Sequence, residues 1–176
     1  MNRLSDPQRH DDLLNYRLKR LLLIGGAPAV RLCEGAYGIT RTQWRLTAAL
    51  VEEGPTSPGG LAQRTGFEHA KLSRCIAELA AKGLVARTGI AGDRRRVKLA
   101  ATDTGVKLYH ELFPQLAAIN RRIMEALDPY EAQLLDRALA KLMARAQQIY
   151  DEGGGVVART DRRLGGSRRF WAMALD

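Results

Sequence analysis

The chain has 176 residues, of which 45% are hydrophobic and only 6% aromatic, enough for one folded domain with an appended arm and weighted toward helix over sheet. Its net charge of +9 and pI of about 10.1 point to a polyanionic partner, either nucleic acid or an anionic surface. Two cysteines exclude a disulfide framework or a structural zinc site, and apolar runs such as 21–24 are far too short to span a membrane.

The first helix is predicted from Asp11 to Cys33, where Leu13, Leu14, Leu18, Leu21 and Leu22 recur at helical spacing; Gly25, Gly26 and Pro28 interrupt or kink it. A second helix over Thr42–Val51 turns Trp44, Leu46, Ala49 and Leu50 inward and stops at Gly54-Pro55. Ser57-Pro58 pairs an N-cap with proline at the first helical position, which opens a short helix ending before Gly66. The next helix, Glu68 to Ala81, has Leu72, Ile76 and Leu79 on one side and Lys71, Arg74 and Glu78 on others, with Gly83 as the left-handed residue that ends it.

There the period changes from helical to alternating. Leu84-Val85 begins a strand, Gly89 to Asp93 forms a turn, and Arg96 to Ala101 alternates, with Val97, Leu99 and Ala101 on one face. Thr102 caps a long helix reaching about Leu127, bent at Pro114, and Asp128-Pro129 starts another that runs to about Tyr150. Gly153 to Gly155 form a flexible joint, after which five arginines and an apolar end, Phe170-Trp171, make up a tail whose role is open: a clamp on DNA, a swap onto a partner, or a mobile arm.

The basic surplus is concentrated. From Thr40 to Ala101 eleven Lys and Arg face five acids, so six of the nine surplus charges lie in about a third of the chain. A short helix joined through Thr65-Gly66 to a four-turn helix is a helix-turn-helix arrangement, whose second member fits a DNA major groove. Lys71, Ser73 and Arg74 are the residue types that phosphates and base edges accept, and His69 stands at the first turn of the same helix. The basic hairpin tip, Asp93-Arg94-Arg95-Arg96, supplies a second contact, since arginine suits the strongly negative minor groove.

Residues Ile39 to Gly105 resemble the multiple-antibiotic-resistance regulator (MarR) family of winged-helix repressors, above all in LSRCIAELAAKGLV (Leu72 to Val85) and GDRRRVKLAATDTG (Gly92 to Gly105). The motifs cover about a third of the chain, and the helix order extends the likeness to roughly residues 10–150. The resemblance implies a mainly α fold with a small β-hairpin: a winged helix-turn-helix with long N- and C-terminal dimerisation helices. The divisions expected are an N-terminal dimerisation helix over 1–38, a DNA-binding lobe over 39–101, C-terminal dimerisation helices over 102–150, and a flexible basic tail over 151–176.

By the same resemblance, Ser73 and Arg74 touch DNA from the recognition helix, and Lys71 occupies a position often held by a small hydroxyl residue. Arg94 enters the minor groove with Arg96 beside it, while Asp93 and Arg95 form the pair that stabilises the wing. The implied partners are a pseudo-palindromic double-stranded operator, a second copy of the chain as homodimer, and a small anionic aromatic effector that releases the DNA. Tyr37, Trp44, Arg45 and His110 have the chemistry for such an effector, although Trp44 also reads as core, Arg45 as a phosphate contact and His110 as an interface residue.

An effector-independent architectural DNA-binding protein would show the same fold and charge. Catalysis is not expected: His10, His69 and His110 are scattered without paired carboxylates, and neither Gly25-Gly26 nor Gly59-Gly60 has the surroundings of a phosphate loop. No cofactor or metal is expected. Cys75 reads as a small buried filler, and Cys33 shows no activating neighbour in sequence, leaving its redox role open. With no leader pattern and no membrane span, a cytoplasmic protein without membrane contact is expected.

Overall fold

The computed structural model describes residues 2–90 and 93–152, with backbone alone at Ile90 and 93–96. A 3-10 turn, His10–Asp12, leads into α1 (Leu14–Arg31), followed by α2 (Arg41–Glu52), α3 (Pro58–Thr65) and α4 (His69–Ala81). Strands β1 (Val85–Ile90) and β2 (Asp93–Ala101) form an antiparallel hairpin, and α5 (Asp103–Met124) and α6 (Pro129–Asp151) complete the described chain. This is the mainly helical winged fold expected from the sequence. Both strands reach further than a turn over 89–93 would allow.

Helix α1 runs unbroken through Gly25, Gly26 and Pro28, where the sequence predicts an interruption or kink. The glycines are places of close approach. A Cβ on Gly25 would lie 3.1 Å from Cδ1 of Ile123 in α5, and one on Gly26 would meet the Arg41 guanidinium. After Arg31 the helix widens into a π turn, Leu32–Ala36, that carries Cys33 fully into the interior.

Capping chemistry fixes the ends of the central helices. Thr40 Oγ1 accepts from the Gln43 backbone N–H at 3.1 Å while Gln43 Oε1 accepts from the Thr40 N–H at 3.0 Å, a reciprocal box at the start of α2. Ser57 Oγ accepts from Gly60 N–H at 3.1 Å with Pro58 at the first helical position of α3. Past α4, Gly83 adopts φ 69°, the left-handed conformation that lets the chain reverse into β1.

One core holds these elements together. Leu46 of α2, Leu61 of α3, Leu72 and Leu79 of α4, Leu99 of β2 and Leu112 of α5 are all fully buried, each stabilising the fold by about 1.5–3 kcal/mol relative to exposure. The hairpin is pinned at its base: Thr56 N–H donates to Leu99 O at 3.0 Å and Leu99 N–H to Thr56 O at 2.7 Å. The outer helices contrast with this core. No residue of α6 is buried, and Leu21, Leu22, Leu23 and Ile24 of α1 are all exposed, Ile24 by 70%.

Candidate nucleic-acid interface

The inward side of α4 is the stripe Leu72, Cys75, Ile76 and Leu79, at i, i+3, i+4 and i+7. That register leaves His69, Lys71, Ser73 and Arg74 exposed. On one flank Lys71 and Arg74 border a hollow of about 580 Å³ whose other wall is Thr40 and Thr42 at the start of α2. On the other flank His69 and Ser73 face Arg87 of β1 across a hollow of about 240 Å³ floored by Leu72 and Ile76. The helix therefore stands as a polar ridge with a hollow on either side, a shape that a major groove about 12 Å wide can receive.

One more cation, Arg45, marks this surface. Arg45 of α2 donates Nη2 to Thr65 O at 3.2 Å, at the turn between α3 and α4, and its guanidinium lies 4.7 Å from the centre of the Phe67 ring. Lys71 Nζ lies 5.2 Å from the same ring centre. The side chains of Asp93, Arg94, Arg95 and Arg96 lie outside the described residues, so the expected wing pair and minor-groove arginines have no geometry here. Lower in β2 the expected alternation holds, with Leu99 buried and Lys98 exposed.

A third feature lies between α2 and α5. Trp44 stacks on Tyr109 with ring centres 5.5 Å apart and planes 11° from parallel, and Tyr109 stacks in turn on Phe113 at 5.4 Å. Tyr109 Oη donates to Glu52 Oε1 at 2.7 Å, a bond that raises the phenol pKa above its ordinary value. Beside this ladder runs a groove of about 310 Å³ walled by Trp44, Ala48, Glu52, Phe113, Leu116, Ala117 and Asn120.

Of the four residues with effector chemistry in sequence, Trp44 lines the groove. His110 sets its ring edge-on to Tyr109 at 5.4 Å, and Tyr37 Oη accepts from Gln115 Nε2. Arg45 points instead toward the helix-turn-helix, because the face of α2 it occupies is the one that packs toward Thr65 and Phe67. Both thiols are buried, and burial pushes the pKa of Cys33 and of Cys75 up. A thiol held protonated is a poor nucleophile.

The sequence model of the MarR family matches residues 37–96. Over 104 residues the chain is 34% identical to the HTH-type transcriptional regulator FarR of Neisseria gonorrhoeae, an alignment covering 59% of this chain and 71% of FarR. The chain belongs to the MarR family of transcriptional regulators.

Further likeness to family members extends over most of the described helices. The transcriptional repressor NicR of Pseudomonas putida is 28% identical over 105 residues, covering 60% of this chain and 66% of NicR. The solved structure of NadR superposes with a TM-score of 0.63 at 29% identity, covering 77% of this chain and 95% of NadR. BpsR of Bordetella bronchiseptica shares the fold with a TM-score of 0.69 at 23% identity, covering 78% of this chain and 97% of BpsR. Membership of the MarR family assigns the chain to transcriptional regulation and not to catalysis. Among the described residues, no helix is long and apolar enough to cross a membrane.

Several residues at these sites are not singled out by the sequence. Arg87 alternates on a strand too short to reveal which face meets α4. Phe67 looks like an ordinary turn residue until the cations on either side of it in sequence, Arg45 and Lys71, are seen over its ring. Tyr109, Phe113 and Glu52 are joined across 57 residues of sequence, and their only local signal is the aromatic i, i+4 spacing of Tyr109 and Phe113.

Proposed function

We propose that this chain is a homodimeric, sequence-specific repressor that places α4 in the major groove of a pseudo-palindromic operator and leaves it when a small aromatic effector binds. The observation that carries this reading is the exposed ridge of α4, where His69, Lys71, Ser73 and Arg74 project together between two hollows. Residues 39–101 act as the DNA-binding lobe, and 1–38 with 102–150 as the dimerisation helices. Cys33 and Leu112, which belong to the lobe's core, join the two parts. Apolar side chains left exposed along α1, α5 and α6, including Leu22, Ile24, Ile123, Leu135 and Leu142, support association with a second copy. Proteins of the same fold include MepR of S. aureus in complex with DNA and a mutant MarR of E. coli in complex with operator DNA.

For the effector, the groove beside Trp44 supplies a flat aromatic wall, and its ionisable side chain is the acid Glu52. A hydroxylated aromatic ring suits it, the ring against Trp44 and Phe113 and the hydroxyl donating to Glu52. Related proteins support the chemistry: NadR is known in complex with 4-hydroxyphenylacetate, and BpsR has its DNA binding regulated by 6-hydroxynicotinic acid. The carboxylate of such an acid would need a cation from outside this groove.

The test is a titration of the protein onto its own upstream DNA and onto random duplex at several salt concentrations. A clear preference for the upstream DNA, lost on adding a hydroxylated aromatic acid, supports the whole reading. Preference without loss reduces it to an effector-independent DNA-binding protein, and no preference at moderate salt removes it.

A further inference from the structure

We infer that Arg45, Phe67 and Lys71 form a phosphate-binding cluster on the DNA-facing side of the α3–α4 turn, at the N-terminal end of the α4 ridge and sharing Lys71 with it. The inference rests on the reading of the chain as a DNA-binding regulator and adds a backbone contact carried by α2.

Three observations converge on it. First, two cations from different helices lie within 5.2 Å of one aromatic ring centre, Arg45 at 4.7 Å and Lys71 at 5.2 Å. The Phe67 ring, whose faces carry negative charge density, attracts each cation and fixes where it sits. Phe67 is itself held by its packing against the core and so is a fixed platform. Second, Arg45 is anchored at one nitrogen, Nη2, by Thr65 O at 3.2 Å, which leaves the rest of its five-donor fork for another acceptor. Third, both side chains are exposed, and the ion pairs Arg64–Glu53 and Arg145–Glu152 use other cations. Oriented, exposed cations beside the N-terminal turn of α4 match phosphodiester oxygens better than a base edge, because a phosphate accepts charge-assisted bonds and carries the compensating charge.

Phe67 acts here as a positioning residue. It limits the rotamers of a flexible lysine and a flexible arginine before DNA arrives, so less side-chain freedom is lost on binding. A contact of this kind carries no sequence information and should weaken all duplexes alike.

The experiment measures binding of wild type, Arg45→Ala, Arg45→Lys and Phe67→Leu to the upstream duplex and to random duplex between about 50 and 200 mM salt, with melting temperatures as the check on folding. For Arg45→Ala the expected result is about tenfold weaker binding to both duplexes and a log–log salt slope smaller by about 1. Arg45→Lys recovers the slope and part of the affinity, since it restores the charge without the fork. Phe67→Leu weakens binding about two- to fivefold with the slope unchanged, and costs less in an Arg45→Ala background, where Lys71 alone remains to be positioned. An Arg45→Ala protein that melts like wild type and keeps its affinity and slope overturns the cluster while leaving the DNA-binding reading intact. Loss confined to the upstream duplex also overturns it, by making Arg45 a base-reading residue. A wild-type protein that binds no duplex removes both.

Discussion

Gln43 donates Nε2 to Glu78 Oε2 at 2.7 Å, a bond between the first turn of α2 and the outer side of α4. The same Gln43 closes the capping box with Thr40, and Lys82 Nζ donates to its Oε1 at 3.3 Å as well as to Gly38 O. One side chain, 3% exposed, thus ties together the start of α2, the loop before it and α4. Its polar atoms are satisfied by partners that no smaller or apolar residue could serve.

Replacing it should therefore cost more than a surface hydrogen bond. Gln43→Ala is expected to destabilise the fold by about 2–3 kcal/mol, since a charge-assisted bond is lost and the Thr40 and Lys82 donors lose an acceptor. Urea unfolding would show it as a lowered midpoint with an unchanged m-value. A midpoint within experimental error of wild type would mean that water replaces the side chain at no cost.

The junction of hairpin and α5 offers a steric test. A Cβ on Gly105 would run into the Leu84 carbonyl oxygen, a backbone atom that cannot swing away. Thr102 already ties this corner together, donating Oγ1 to Gly83 O at 2.6 Å and accepting from Gly105 N–H at 3.1 Å. Gly105→Ala should destabilise by about 1–3 kcal/mol, read as a fall in melting temperature of several degrees. A melting temperature that stays put would show that the corner can open without penalty.

Operator reading should depend on Arg74 in a way that stability does not. Arg74→Ala removes an exposed side chain from the α4 ridge and is expected to weaken operator binding by about 1–3 kcal/mol and to relax its sequence preference, with melting unchanged. Equal loss on operator and random DNA would make Arg74 a backbone contact.

Assembly should respond to charge on α1. Ile24→Glu puts a carboxylate at a side chain 70% exposed in the single chain, on a helix with four further exposed leucines before it. If two copies bury this surface, the substitution shifts sedimentation from dimer to monomer, because an unpaired charge cannot be desolvated cheaply. Wild-type sedimentation of the variant would place the subunit contact elsewhere.

Alkaline pH should loosen the fold. Cys33 and Cys75 have pKa values raised above 9.0 by burial, and Tyr109 has one raised above 10.0 chiefly by donating to Glu52. On unfolding these groups return to ordinary values, so the unfolded chain gives up its protons first as pH rises. The stability they contribute is whole below pH about 9 and is lost as pH climbs through and past that value. Urea midpoints measured from pH 7 to 10.5 should hold and then fall; a flat profile would deny all three shifts.

Much of this architecture is legible in sequence where a local stereochemical device marks it. Ser57-Pro58, Thr102 and Asp128-Pro129 announce helix starts, and the capping bonds form at all three. The inward stripe of α4 follows from its spacing, and with it the exposed polar ridge. What resists prediction depends on partners distant in the chain. Gly25 and Gly26 have the composition of a break, and only Ile123 and Arg41, brought up by folding, show them to be points of close packing. Arg45 follows Trp44 directly, yet the helical turn of about 100° between neighbours sends one into the core and the other to Phe67. The aromatic ladder needs α2 and α5 side by side before Trp44 and Tyr109 can meet.

The paired backbone bonds between Thr56 and Leu99 have a mechanical consequence. They fasten the lower hairpin to the residue just ahead of Ser57, the cap of α3, so the hairpin is no freely hinged flap. Any displacement of α3 drags the hairpin base with it, and α4, packed on α3, travels too. Each half of a dimer would then tilt as a rigid body. Disengagement would come from changing the separation and angle between two such bodies, with the internal shape of each left as it was.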